Sequence, residues 1–463
     1  MRSFLITPGS VAALCIVASS GVAQTRTDLA PVTGARAERL DSIAETFRRE
    51  QGLPGITFAI VTSRGRALYQ GGVGLADIAA RRPVTNRTSF PIYSVSKVYT
   101  SAAAHRLASD GKLDLSSAIG RYLGDLPPWR DTMTIRQLLA HTAGLFEYTD
   151  IEGYEASASA GRSEDDHFVA MSVQRPLRFP PGARWEYSNT GYALAQSVIE
   201  IVTKDSLSHT LKTQLFEPLG LHETSPECPP QDIATGYTAA WRLGLPGDSL
   251  VASAARNSHR YILAAGGLCS TAPDIAQFVA ALVAGRVVTA DALDDMTRRE
   301  PAVAPSGAGL FLTEDSEGLI YAHSGGGGNG NSEVMAFVRD SLVLAALTNT
   351  GGANLDRLLR VLRREVLGLP QPVVEDLPTS RDEWFPFIGS YFEPDTRNRV
   401  AVLVDQGGQP FMLGGRLQKQ ADGSFVPNHY RDWRVAFRRL PDGRMELVVS
   451  EYGAITRRGI RRP

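Results

Sequence analysis

The sequence predicts an α+β fold: an antiparallel sheet flanked by helices, followed by a small C-terminal all-β, barrel-like domain. Strand-like stretches stand toward both ends of residues 24–368, at Ile56–Thr62 and Ala67–Gly72, then at Glu333–Val338 and Leu342–Thr348. The stretch between them reads mainly as helix. A sheet completed by both ends of one domain, with helices packed on it, satisfies that order. Further on, short strand-like runs recur at 387–392, 398–404, 410–414, 423–427, 433–439 and 444–450. Turns such as Gln406-Gly407-Gly408, Ala421-Asp422-Gly423 and Pro441-Asp442-Gly443 separate most of them, which is the texture of a barrel or sandwich.

Each element has a local reason. Residues 35–50 carry Leu40, Ile43, Ala44 and Phe47 at helical spacing and end before Gly52-Leu53-Pro54-Gly55. The first two strands turn at Arg64-Gly65. A helix starts near Val95 and runs through an alanine-rich stretch to Asp110-Gly111. Further helices are expected at 134–140, 165–173, 190–204, 208–215 and 273–284. Ser270-Thr271 caps the last of these, with Pro273 in its first turn. Arg339-Asp340-Ser341 separates the returning strands. Residues 369–383 hold three prolines and several charges without a periodic apolar face, so they read as a linker to a domain at 384–463.

Composition excludes several functions. The 463 residues are 43% hydrophobic and 21% charged, as in an ordinary globular protein. With 48 basic and 49 acidic residues the formal net charge is -1, and no long basic run is present. Nucleic-acid binding is not expected. The basic ending Arg457-Arg458-Gly459-Ile460-Arg461-Arg462 is read as a solvated terminal strand. Arg2, the apolar run Val11–Ala18 and Gly21-Val22-Ala23 together read as a secretory signal over 1–23, cleaved near Ala23. The expected location is therefore secreted or periplasmic. Leu14 before Cys15 is the wrong residue for lipidation, and no later segment approaches the ~20 apolar residues of a membrane span. Once Cys15 leaves, Cys228 and Cys269 remain. Two cysteines make no framework, and they are expected to be independent thiols.

Three elements carry chemistry. In Ser94-Val95-Ser96-Lys97 a serine and a lysine share one face at a helix start, where unpaired N–H groups favour negative charge on an attacking oxygen. A serine hydroxyl needs a nearby base, and a desolvated neutral lysine is one. Tyr187-Ser188-Asn189, just before a helix, offers a phenol for proton transfer and an amide to orient a carbonyl. His323-Ser324-Gly325-Gly326 lies before the strand at Glu333. Its glycines let a substrate backbone approach, and the N–H groups of Ser94 and Gly326 are the expected oxyanion donors. His141 is read as structural, a helix-end histidine bonding nearby backbone. No His/Cys pattern suggests a metal site.

In this order and spacing the three elements resemble the serine penicillin-recognising superfamily, in its class C β-lactamase-like branch, with its β-lactamase/transpeptidase-like fold. That branch includes D-Ala-D-Ala carboxypeptidases, D-aminopeptidases and family VIII esterases. The similarity runs over residues 36–350 and continues through Gly74–Asp77, Pro83, Thr88-Ser89-Phe90, Thr134–Leu145, Phe179-Pro180-Pro181-Gly182, Gly266-Gly267-Leu268 and Asp274. The resemblance implies that Ser94 is acylated, that Lys97 and Tyr187 share proton transfer, and that Asn189 binds an acyl-side amide. Ser324, Gly325 and Gly326 would contact substrate. His323 would stand where true β-lactamases hold a lysine, replacing a permanent cation by a side chain largely neutral at pH 7. The expected activity is that of an exported serine hydrolase on D-amino-acid peptides, without a cofactor. Alternatives are an esterase, a weak β-lactamase or a penicillin-binding sensor. Expected partners are small molecules or short peptides.

Overall fold

The computed structural model describes residues 29–461, apart from 155–156, 158–164, 227, 229–231, 240–248, 254–261, 300–303, 316–317, 372–375, 393–398, 405–407, 413–414, 428–432 and 452–453. The expected signal segment and its cleavage point near Ala23 lie outside the described residues.

Seven antiparallel strands form the main sheet, in the spatial order Arg82–Pro83, Ala67–Asp77, Gly55–Thr62, Leu342–Thr348, Gly330–Phe337, Gly318–Gly327 and Phe311–Asp315. The first and last parts of the domain meet at its centre, where Ile56 pairs with Thr348 and Thr62 with Leu342. Both central strands are buried along their full length, because both faces of the sheet are covered. On one face Phe58, Ile60, Leu344 and Ala346 pack against the helices Ala35–Glu50 and Leu355–Leu367. On the other, Ala59, Val61, Val343 and Ala345 face the larger helical layer.

The helix Ser96–Ser109 is the hub of that layer. Every residue from Ser96 to His105 is buried, and Ala102, Ala103 and Ala104 allow neighbouring helices to approach closely. The helices Asn189–Thr203 and Ile262–Gly266 and the short helix Ile135–Leu139 pack around it. Thr134 caps the last of these in a reciprocal capping box with Gln137. Thr271 caps Ala272–Val283 as expected from the sequence. The helix expected at 208–215 begins at Leu207 and passes into one π-helical turn, Lys212–Phe216.

Four features differ from the sequence reading or extend it. His323-Ser324-Gly325 does not lie in a loop before the strand at Glu333; it is part of the strand Gly318–Gly327, paired with Gly330–Phe337. The helix Leu355–Leu367 was not expected. It lays Leu358, Leu359 and Leu362 on the sheet and carries the buried Arg363, which is paired with Asp340 through its Nε at 2.7 Å. The C-terminal strands close into an eight-stranded barrel, with one unexpected strand, Gly415–Lys419, and with the expected terminal strand running over Ala454–Arg461. The basic terminal strand closes the ring by pairing Tyr391 with Arg461 and Phe392 with Ile460. Trp384, from the short helix Arg381–Trp384, is buried in that barrel's core beside Tyr391 and Val402.

The fourth difference concerns the cysteines. Cys228 and Cys269 are not independent thiols but a disulfide, with Cα atoms 5.2 Å apart. The two segments lie side by side without it: Ser225 and Cys269 exchange backbone hydrogen bonds at 3.0 and 2.9 Å. That register brings the two sulfurs together. The bridge spans 41 residues, so its loss is expected to cost roughly 3–4 kcal/mol on a chain-entropy account. Thermal unfolding checks this: the Cys228→Ser/Cys269→Ser variant and the reduced wild type should both melt below the oxidised protein. Equal melting temperatures would contradict it.

Candidate active site

Ser94 lies in a single 3-10 turn, Tyr93–Val95, that feeds directly into the hub helix. Tyr93 takes a positive φ of 46° to make the corner. The turn is held from three sides. Ile92 N–H donates to the Leu268 carbonyl at 2.9 Å, the Ser332 hydroxyl donates to the Ile92 carbonyl at 2.7 Å, and Leu268 N–H donates to Ser96 Oγ at 3.2 Å. Ser94 itself is partly exposed.

One turn further along, Lys97 is fully buried. Its Nζ lies 3.2 Å from Ser94 Oγ, 2.7 Å from Asn189 Oδ1 and 2.5 Å from the Ala265 carbonyl oxygen. The rings of Tyr187 and Tyr192 stand 4.9 and 5.3 Å from it. Burial pulls its pKa down to about 7, against the attraction of Glu147, which raises it. Two of its partners, the asparagine oxygen and the peptide carbonyl, only accept hydrogen bonds. In its neutral form Lys97 gives its two hydrogens to them and turns its lone pair toward the Ser94 hydroxyl.

Tyr187 hydrogen-bonds Ser94, and burial raises its phenol pKa above the ordinary value. A phenolate there is disfavoured at rest, so Tyr187 keeps its proton. Its ring stacks on His141, centroids 4.4 Å apart. His141 acts as the sequence reading expected: Nδ1 accepts from Ser188 N–H at 3.0 Å, and its carbonyl accepts from Glu186 N–H at 2.9 Å. It has φ 61° and is buried. Burial, with Lys97 and His323 nearby, holds its pKa well below the usual histidine range. It is neutral and acts as a brace.

Asn189 is the first residue of the helix Asn189–Thr203, which Ser188 caps by accepting from Gly191 N–H. A buried residue absent from the sequence reading, Glu147, holds this corner. Its Oε2 accepts from Asn189 N–H at 2.6 Å and from Thr190 N–H at 3.4 Å, and its carboxylate also bonds the Asn189 side chain. Burial raises the pKa of Glu147. Its only signal in the sequence is position, shortly after the His141–Leu145 stretch.

The third element approaches from the sheet. Val338 N–H bonds the Leu319 carbonyl at 3.1 Å. Antiparallel alternation therefore turns His323 and Gly325 toward the neighbouring strand, and the backbone groups of Ser324 and Gly326 the other way. The edge strand stops covering that side where Phe311 pairs with Ala322. Among the described residues, the N–H groups of Ser324 and Gly326 and the Gly326 carbonyl thus lie at an edge that the outer strand does not cover. Gly325 faces the Ser94 turn so closely that a Cβ there would overlap the Ile92 carbonyl oxygen and lie 2.9 Å from the Ser94 nitrogen. His323, two residues earlier, shares that face and is buried. Its Nδ1–H donates to the Ser324 carbonyl at 2.7 Å, which leaves a lone pair on Nε2. Burial and the Lys97 amine push its pKa down to about 3. All the residues singled out in the sequence therefore converge on Ser94, and His323 is neutral.

A family profile described as Beta-lactamase matches residues 40–367. The chain belongs to the beta-lactamase family. This beta-lactamase-family protein is 33% identical to esterase EstB of Burkholderia gladioli over 201 residues, 40% of this chain and 50% of that protein. It is 30% identical to penicillin-binding protein 4* of Bacillus subtilis over 191 residues, 40% of this chain and 41% of that one. The matched stretches thus span half or less of these curated relatives. Among solved structures, D-amino acid amidase from Ochrobactrum anthropi SV3 is 25% identical, with a TM-score of 0.62 over 72% of this chain and 98% of that one. An octameric penicillin-binding protein homologue from Pyrococcus abyssi shares the fold, at TM-score 0.66 and 22% identity, over 92% of this chain and 99% of that one. The fold of this chain is the beta-lactamase/transpeptidase-like fold of that family.

The fit of Gly325 against the Ser94 turn gives a test. Gly325→Ala should displace the Ser94 N–H and reduce hydrolysis on the order of 10²-fold, the scale of losing one oxyanion donor, while circular dichroism stays native. An active Gly325→Ala protein would show that the close approach is not needed.

Proposed function

We propose that this protein hydrolyses small amide or ester substrates through a Ser94 acyl-enzyme, with Lys97 as the resting base. The observation that carries the reading is the set of partners around the Lys97 amine, two obligate acceptors and the Ser94 hydroxyl. In the first step the Ser94 proton passes to Lys97 Nζ as Oγ attacks the carbonyl carbon. The N–H groups of Ser94 and Gly326 hold the oxyanion. When the intermediate collapses, Tyr187 donates its phenol proton to the departing nitrogen or oxygen and is reprotonated from Lys97. Water then attacks the ester along the same proton path. Asn189 orients the acyl side, and the open edge at Ser324 and Gly326 pairs with an extended substrate.

The substrate class we favour is a D-amino-acid amide or short peptide, supported by the likeness to D-amino acid amidase. An ester is the second reading, supported by the similarity to EstB. We place the protein outside the cytoplasm, on the N-terminal signal pattern and on a disulfide of the kind that persists in oxidising compartments.

A fluorophosphonate probe should label Ser94, and Ser94→Ala should lose both labelling and turnover. Hydrolysis surviving in that variant would overturn the mechanism. Lys97→Ala and Tyr187→Phe should each lose on the order of 10²-fold or more. Because only neutral Lys97 accepts the proton, the acylation rate should rise with pH through about 7 and level off above it. A rate that stays flat from pH 5 to 9 would exclude Lys97 as the titrating base.

A further inference from the structure

Around Ser94 the ionisable machinery is sunk and the rim is aromatic. Lys97, His141 and His323 are buried, whereas Trp185, Tyr187 and Phe311 are partly exposed. The three rings form one wall. Phe311 lies nearly parallel to Tyr187, with centroids 6.5 Å apart and 16° between planes, and edge-on to Trp185 at 6.2 Å and to His323 at 5.2 Å. The wall is fixed by Ser306, which is buried. Its hydroxyl accepts from Trp185 Nε1–H at 2.9 Å, and its backbone bridges to Phe311. With its one polar atom satisfied, Trp185 presents an apolar ring.

The wall stands on a definite side of the scissile bond. A proton donor must face the atom that departs, and Tyr187, which bonds Ser94, is part of the wall. The leaving group therefore rests against Trp185 and Phe311. His323, edge-on to Phe311, offers an anion no proton: the ring is buried, its Nδ1–H is committed to Ser324, and Nε2 is buried without a hydrogen-bond partner among the described residues. A carboxylate placed against the rings would meet aromatic faces and would lose hydration without a charge from His323 to replace it.

We propose that the site selects an uncharged, apolar leaving group, aromatic for preference, seated on Trp185 and Phe311, and discriminates against one that carries a free carboxylate. This rests on the Ser94 acyl-enzyme reading and narrows it. The substrate is an amide or ester of an apolar amine or alcohol rather than a peptide whose terminal amino acid leaves with its carboxylate.

Three acetyl esters isolate the effect, because they give the same acyl-enzyme and differ only in what leaves: benzyl acetate, ethyl acetate and O-acetylmandelate. Proton release in a pH-stat gives kcat/KM for each. Benzyl acetate should exceed ethyl acetate by about 10-fold or more, the scale of a well-filled apolar subsite. It should exceed O-acetylmandelate, the same ring with an added carboxylate, by a similar factor or more. Phe311→Ala should cut the benzyl-over-ethyl ratio about 10-fold, with Phe311→Leu restoring part of it. His323→Lys should shrink the benzyl-over-mandelate ratio by supplying the missing cation. Equal rates for benzyl and ethyl acetate, a faster rate for O-acetylmandelate, or ratios unmoved by both substitutions would overturn the proposal. Fluorophosphonate labelling of Ser94 separates the two levels. Labelled protein without the selectivity leaves the acyl-enzyme reading standing, whereas unlabelled, inactive protein removes its basis.

Discussion

A lysine amine with no exposure to water has to be either paired with an anion or neutral, and the surroundings of Lys97 decide which. Its three partners are a hydroxyl, an amide oxygen and a peptide carbonyl, each from a different segment. None is a formal anion at bonding distance, so desolvation dominates and the amine sits near neutrality. Glu147 moderates the effect from behind Asn189. Because the acceptors come from the starts or ends of separate helices, the geometry at Lys97 depends on how those helices pack on the hub. The alanines of Ser96–Ser109 and the capping of Asn189–Thr203 by Ser188 are therefore part of the chemistry as well as of the fold.

The sheet supplies what the helical layer lacks. Pairing of its first and last strands builds a rigid centre, and the strand Gly318–Gly327 extends beyond the end of its outer neighbour. That overhang leaves the N–H groups of Ser324 and Gly326 without a ladder partner among the described residues, and these are the groups proposed to pair with an extended substrate. Glycine at 325 is required by the closeness of the Ser94 turn, not by backbone conformation. The same proximity places the His323 ring next to the amine. Burial is the main reason that His323 and Lys97 both sit low; the Lys97 amine adds to the depression of His323, while Glu147 opposes that of Lys97. The His323 imidazole therefore supplies no charge on its side of the site.

Much of this was legible in the sequence because it is local. Helix 35–50 follows from the spacing of Leu40, Ala44 and Phe47, and the capped helix after Thr271 from its cap and Pro273. Ser94, Lys97, Tyr187 and Asn189 sit in short motifs whose mutual approach the sequence only implied and the fold completes. What escaped depends on distant partners. The strand through His323 is masked by its glycines, which have low strand propensity and stay extended because Gly330–Phe337 pairs with them. The disulfide arises from the register between Ser225 and Cys269, which no spacing rule gives. Glu147 gains its role only when the helix at Asn189 docks above it. The helix Leu355–Leu367, by contrast, carries a readable apolar period in Leu355, Leu358, Leu359, Leu362 and Val366.

Lys97 acts as base only in its neutral form, and the titration that produces that form is directly observable. NMR titration of isotope-labelled lysine, with Lys97→Arg used to assign the resonance, should show the Lys97 amine titrating at about 7. Glu147→Gln should move that midpoint lower, because the carboxylate holds it up. A Lys97 resonance that titrates near the ordinary lysine value would contradict the account and return the role of base to Tyr187.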